Sequence, residues 1–472
     1  MANKHTGNTP TTVTVAVIGA GITGLTCAWH LRKRGVNVVL LEKEDRIGGL
    51  IKTVEEDGFV FESGPNTGVV KYPEVAELFD DLPDCQLETA RESSKRRLIW
   101  KGDRFHELPS GLWSAIATPL FTFADKLRIL GEPWRSKGTN PNESVGALAE
   151  RRLGKSFVDY AVDPFLSGVY AGDPYKLPTR VALPRLYQLE QNYGSFIRGS
   201  IALAKIPKTE RDRRATKKVF SAQGGFSHLV EALGRAIGTD NIITGCHNMN
   251  IQPQSDGSWT ITYQNAPLSA LHSPLTTLHA QHIVTTCPAY ALPELLPFVD
   301  KETMSRLSNL YYAPVVQIGV GIKDTGNIRW EAFGGLVPSS EKRDMLGILM
   351  PSACFTGRAP EQGAAFAYFI GGTRHPEYLD KSDHELKTIV NQSLSEMLNF
   401  PQGKQADVVK IFRHRRAIPQ YMPNTDDRLE AVKSIERRFP TLHISGNLKD
   451  GIGMGDRIKQ ATDLAAQLFA NV

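Results

Sequence analysis

The apolar positions of this chain fall into blocks with different periods. Val13 to Ile18 is a short run of β-branched and small residues that predicts a buried strand. Gly24 to Arg34 follows with helical spacing, and Val36 to Leu41 is a second apolar strand. A strand, a glycine-rich turn, a helix and a second strand open a parallel, doubly wound sheet. From Asp103 to about Ile206 strand-like runs become scarce, while Asn142 to Leu153 and Phe157 to Leu166 carry helical spacing. This stretch predicts an inserted helical domain. It closes on the charge-dense Lys205 to Lys218, and Val219 to Phe226 returns the chain to the first sheet.

Trp259 to Tyr263 and His282 to Thr286 again alternate as strands. Pro314 to Ile322 and Ala364 to Ile370 alternate too, around a helical pattern at Asp383 to Leu398, which predicts an α+β substrate domain. The tail from His443 reads strand, glycine-rich turn, helix. The expected fold is α/β plus α+β: a Rossmann-like nucleotide-binding domain (1–75, 218–290, 415–472), an α+β substrate domain (76–102, 291–414) and a helical insert (103–217).

Gly19-Ala20-Gly21-Ile22-Thr23-Gly24 is a G-x-G-x-x-G between the first strand and the first helix. Gly19 permits the tight turn, Gly21 lets backbone approach a pyrophosphate, and Gly24 lets helix and strand pack closely. The free N–H groups of the helix start then face the diphosphate. Glu42 ends the second strand at the offset expected for an acid on a ribose hydroxyl pair, which also disfavours a 2′-phosphate. The continuation Lys43-Glu44-Asp45-Arg46-Ile47-Gly48-Gly49 is an E-x-x-x-R-x-G-G string when read from Glu42. It resembles the second signature of the FAD-dependent amine oxidase superfamily, and FAD is the cofactor this implies. There Lys43 and Arg46 stand beside phosphate or ribose, and Gly48-Gly49 bring in a second backbone segment. A last glycine-rich segment, Gly446 with Gly451-Ile452-Gly453-Met454, precedes a helix and is expected at the ribitol and the flavin pyrimidine edge. No cysteine follows Cys354, so the flavin is expected to be held non-covalently.

Two further stretches are specific. Glu62-Ser63-Gly64-Pro65-Asn66-Thr67 is similar to the segment that runs beside the isoalloxazine, with Gly64, Pro65 and Asn66 at the flavin. Pro164-Phe165-Leu166-Ser167-Gly168-Val169-Tyr170-Ala171-Gly172-Asp173-Pro174 resembles a segment of the protoporphyrinogen oxidase family. With the domain order, that resemblance spans essentially the whole chain. It implies FAD-dependent oxidation of protoporphyrinogen IX by three hydride transfers, with electrons passed on to oxygen or another acceptor. It also implies roles for Asn66 at the site edge and for Gly168 through its backbone. Arg97, in Arg96-Arg97-Leu98-Ile99-Trp100, would face a propionate; the alternative is a surface arginine on a strand edge. Phe333, Leu336 and Phe369 would be apolar walls, or else ordinary core. Where many amine oxidases place a lysine near the flavin, the matching register holds Gln317.

Composition adds limits. A 472-residue chain with 41% hydrophobic and 22% charged residues is a folded, multidomain protein. A net charge of +5 does not argue for nucleic acid. The odd cysteine count lacks C-x-x-C spacing, so neither a disulfide framework nor a metal site is expected, and His272, His279 and His282 have no ligating partners nearby in sequence. The polar Met1 to Thr12 carries no signal core, so a cytoplasmic location is expected. Gly111 to Leu130, with Leu112, Trp113, Ile116, Leu120, Phe121 and Phe123, suits an interfacial segment, peripheral on the cytoplasmic membrane face. The basic Lys205 to Lys218 could assist. The alternatives there are a buried helix and a solvated linker. Competing functions are a coproporphyrinogen III oxidase of the same flavin type, another oxidase or desaturase of the superfamily, and a non-catalytic flavoprotein subunit.

Overall fold

The computed structural model describes residues 11–265 and 274–470. His272 lies outside them. Thr11–Ile18 is the centre of a seven-stranded sheet. It pairs in parallel with Val38–Leu41 on one side and with Leu275–Thr285 on the other. The first half of Leu275–Thr285 runs antiparallel to Trp259–Asn265, and its second half takes Leu442–Ile444 in parallel. The strands are apolar on both faces because both are covered, as parallel sheets require. On one face lie the helices Ile22–Lys33, Phe226–Ile237 and Met454–Phe469, sharing a core of Leu25, Leu31, Leu229, Leu233, Ile458 and Leu468. The nucleotide-binding sheet is therefore assembled from three separated stretches of chain.

A second seven-stranded sheet runs Val408–Pro419, Tyr312–Ile322, Ala364–Gly371, Met345–Leu349, Gly334–Leu336, Arg97–Lys101, Arg104–Glu107. One face carries Val316, Ile318, Val320, Phe366 and Tyr368 against the helix Asp383–Leu398. On the other face of Tyr312–Ile322, glycines alternate with those apolar residues. A Cβ on Gly319 would lie 2.7 Å from the Phe61 ring, and one on Gly321 would lie 2.9 Å from the Phe59 ring. The hairpin Thr53–Glu56/Phe59–Glu62 thus lies on bare backbone, which fastens the first domain to the second. Two expected boundaries move. Arg104–Glu107 belongs to the substrate sheet, not to the helical insert that was to begin at 103. Val408–Pro419 likewise runs unbroken through 415. In each case a ladder of backbone hydrogen bonds overrides the change of sequence texture.

The insert is helical from Leu112 to Arg213. Its centre is ionic. Arg152, fully buried, bonds Glu132 (2.5 Å) and Glu190 (2.6 Å), both also buried. Leu120 and Phe121 are buried against Ile99 and Phe157 and so leave the expected interfacial set. The side chain of Leu112 lies outside the described set; between 111 and 134 the exposed large apolar residues described are Trp113, Ile116, Phe123, Leu127, Leu130 and Trp134. The basic stretch that closes the insert is partly neutralised, since Arg211 pairs with Glu74 and Glu77 and Arg214 with Asp80.

Candidate active site

The first glycine turn is built by exclusion. A Cβ on Gly24 would lie 1.9 Å from the Gly19 carbonyl oxygen, so helix and turn meet only because no side chain intervenes. Gly19 has φ +99°, and Thr286 donates its hydroxyl to the Gly19 carbonyl at 2.9 Å. Gly21 caps the helix Ile22–Lys33 with extended backbone, no side-chain cap and no acid in the first turn. A Cβ placed there would meet nothing within 4 Å. Bare N–H groups facing open space at a helix start fit a diphosphate. Glu42 is buried at the end of its strand, accepting from the N–H of Ala20 at 2.6 Å and of Glu44 at 3.0 Å. The carboxylate is thereby held beside the turn with lone pairs to spare for hydroxyl donors.

The second glycine pair closes on the first. Gly48 donates its N–H to the Ala20 carbonyl at 2.7 Å, and a Cβ on Gly49 would lie 3.3 Å from Gly21 Cα. Arg46 braces this loop. Its guanidinium donates to the carbonyls of Ile47, Gly49 and Ile51. Lys43 is exposed.

Gly64 packs on the Leu50 carbonyl, which a Cβ would approach to 2.1 Å. The segment around it is pinned from several sides. Glu62 accepts from the Phe226 N–H (2.8 Å) and the Thr53 hydroxyl (2.9 Å). Burial pushes its carboxyl above the ordinary range, against the lowering by the Phe226 N–H and by Arg358. Gln317 donates its amide to the Glu62 carbonyl, and His414 Nε2 lies 2.5 Å from the Ser63 carbonyl. Asn66 donates to the Gly64 carbonyl at 3.0 Å.

The terminal glycine loop is held by residues that sequence reasoning missed. Arg457, buried, donates to the carbonyls of Gly446 and Lys449. Gln460 accepts the Gly446 N–H at 3.0 Å, and the Tyr421 hydroxyl is 2.9 Å from the carbonyls of both Asn447 and Gly451. Arg428 donates to the Leu448 carbonyl at 3.0 Å. One signal was available: Arg457 and Gln460 stand at i, i+3, where the inner face of Met454–Phe469 should have been apolar. The helix follows Gly453, whose N–H donates to the Asp456 carboxylate at 3.2 Å.

On the substrate sheet, Ile99, Leu336, Gly347, Phe369 and Gln317 are paired one to the next across five strands. Directly paired residues share a face, so this row runs from the helical insert to the segment at Glu62. Gly168 meets it from the insert: a Cβ there would be 2.4 Å from Leu336 Cδ2. Arg97 lies at the edge, its guanidinium 4.9 Å above the Phe333 ring. The choice between neighbouring arginines resolves physically. Arg96 is paired with Glu107 at 3.0 Å, while Arg97 has no ion pair among the described residues. His279 and His282 take no part here. The first lies 3.1 Å from the Thr260 hydroxyl, and the second stacks on His443.

Comparison with known proteins gives a consistent picture. Residues 22–453 match the family described as flavin containing amine oxidoreductase. Among curated relatives, protoporphyrinogen oxidase 1 (chloroplastic) of Spinacia oleracea is 30% identical over 96% of this chain and 83% of its own. Protoporphyrinogen oxidase 2 (chloroplastic/mitochondrial) of Arabidopsis thaliana is 28% identical over 94% of this chain and 91% of its own. Among solved structures, a candidate protoporphyrinogen oxidase of Exiguobacterium sp. 255-15 superposes with a TM-score of 0.78 at 20% identity. It covers 99% of this chain and 100% of its own.

Proposed function

This chain belongs to the flavin containing amine oxidoreductase family, and from that premise we propose that it oxidises protoporphyrinogen IX to protoporphyrin IX in haem biosynthesis. It is an FAD-dependent oxidoreductase. The glycine cradle at Gly19 to Gly24, open at Gly21 and bare of capping side chains, fits the cofactor's diphosphate. Bound FAD supplies the hydride acceptor, used three times to remove six electrons. Gly48, Gly49, Gly64, Pro65, Asn66 and the loop from Gly446 to Met454 would hold the rest of it non-covalently.

The observation that carries the substrate reading is the cross-sheet row together with Arg97, which stands two residues before Ile99 on the same strand and has no ion pair among the described residues. Leu336, Phe369 and the ring of Phe333 offer apolar walls, and Arg97 offers one uncompensated cation at their rim. A broad apolar macrocycle with carboxylates on one edge matches that layout. Asn66 and the Gly168 backbone would position the ring, and Arg97 would orient it through a propionate. The electron acceptor is oxygen or another oxidant. Among the described residues no helix is long and apolar enough to cross a membrane. Exposed Trp113, Phe123 and Trp134 support peripheral attachment, in this reading at the cytoplasmic face.

The test is anaerobic bleaching of the bound flavin by protoporphyrinogen IX and by coproporphyrinogen III, then porphyrin fluorescence on admitting air. Faster bleaching by protoporphyrinogen is expected, and Arg97→Ala should raise KM about tenfold with a smaller change in kcat. Preference for coproporphyrinogen would move the enzyme to the tetracarboxylate substrate. No bleaching by either would sink the tetrapyrrole reading.

A further inference from the structure

We infer that Gly347 is a specificity-determining residue of this cleft, acting by seating Leu336 in a slot between two domains. The inference rests on the proposed substrate reading. In the row Ile99, Leu336, Gly347, Phe369, Gln317, only Gly347 has no side chain. Leu336 fills the space this leaves. Its Cδ2 lies 3.0 Å from where a Gly347 Cβ would stand and 2.4 Å from where a Gly168 Cβ would stand. The leucine is therefore clamped between bare backbone of the sheet and bare backbone of the helical insert.

The consequence follows from sterics. The other nearest atoms to a methyl on Gly347 would be the Gly335 carbonyl oxygen, at 3.0 Å, and Leu336 Cα, at an ordinary 3.5 Å; backbone can relieve the first contact by a few tenths of an ångström. Leu336 has no such freedom, because retreat toward Gly168 is already closed. It must leave the slot on the side away from Gly347, toward Ile99, and rise from the face of the row. The wall then thickens by most of a side chain where a flat ring would lie. A slim substrate tolerates this; a macrocycle does not. The pair of glycines thus selects for width, and Gly347 does so without touching the flavin segments at Gly21, Gly49 or Gly64.

The test is a cycle of Gly347→Ala, Leu336→Ala and the double variant in the flavin-loaded enzyme. It is read by steady-state oxidation of protoporphyrinogen IX and by fluorescence titration with protoporphyrin IX, the latter also on flavin-free protein. Gly347→Ala should raise KM and the porphyrin Kd about tenfold while kcat stays within about twofold and flavin content is unchanged. The double variant should bind about as well as Leu336→Ala alone, because the methyl no longer displaces anything. Unchanged KM and Kd in Gly347→Ala, or additive effects in the cycle, overturn the inference. So does a fall in kcat with KM untouched. If Gly347→Ala does not fold, the double variant must, and a double variant that binds worse than Leu336→Ala overturns it equally. Should wild-type flavin resist reduction by every porphyrinogen, the substrate reading fails. Additive shifts in the melting temperatures of the three variants would then separately overturn the seating of Leu336.

Discussion

Gly24 shows how much a single hydrogen can carry. The Gly19 carbonyl stands where its Cβ would be, and the obstruction is backbone, which cannot rotate away. Gly24→Ala should push the helix Ile22–Lys33 off the turn and misdirect the N–H groups that face the diphosphate. The purified variant is expected to carry less than half the wild-type flavin, on the order of a 1 kcal/mol loss of binding or more, measured as the visible to ultraviolet absorbance ratio. Such demands are local, which is why the glycines at 19, 21, 24, 48 and 49 were legible from their spacing. Arg457, Gln460, Tyr421 and Arg428 were not legible. Each acts on a loop carbonyl or N–H whose position depends on the finished fold. The bonds of Arg46 to the carbonyls of its own loop were likewise not legible, since only geometry shows them.

At the scale of elements, the three-residue strand Leu442–Ile444 of the nucleotide sheet carries a titratable weakness. His443 stacks on His282 at 5.9 Å, and the nitrogens His443 Nε2 and His282 Nδ1 are buried without hydrogen-bond partners among the described residues. Burial, with lesser contributions from His282 and Lys449, lowers His443 from its ordinary 6.5 to about 4. The unfolded chain therefore takes up a proton below pH 6.5 that the folded chain refuses until about pH 4, so stability falls as pH drops through that window. The melting temperature should decline between pH 6.5 and about 5, before carboxylates titrate, and His443→Phe should flatten part of the decline. An unchanged slope would show that the pair is inert. A strand from His443 was expected, as were helices at 383–398 and 457–469, because strong periodicity survives any context. The union of Arg97–Lys101 with Gly334–Leu336 was invisible. Parallel pairing across so long a separation leaves no mark in either segment.

The molecule as a whole presents one surface that its folding does not explain. Trp113 is 83% exposed, Trp134 79% and Phe123 75%, and Phe123, Leu127, Leu130 and Trp134 recur at helical spacing. Large apolar side chains so exposed and so close together in the chain point to an interaction site. Trp113→Ser with Trp134→Ser should reduce co-sedimentation with anionic lipid vesicles severalfold while flavin content and turnover in detergent stay at wild-type levels. Equal sedimentation would reassign the patch. The three-part construction of the nucleotide domain also governs when the protein becomes an enzyme. Helix Ile22–Lys33 is made early, but it shares its core with Met454–Phe469, and the strand Leu275–Thr285 awaits Leu442–Ile444. A growing chain can complete the helical insert while still attached to the ribosome. It cannot close the cradle until Met454–Phe469 has joined that core, so cofactor loading waits on the meeting of all three stretches.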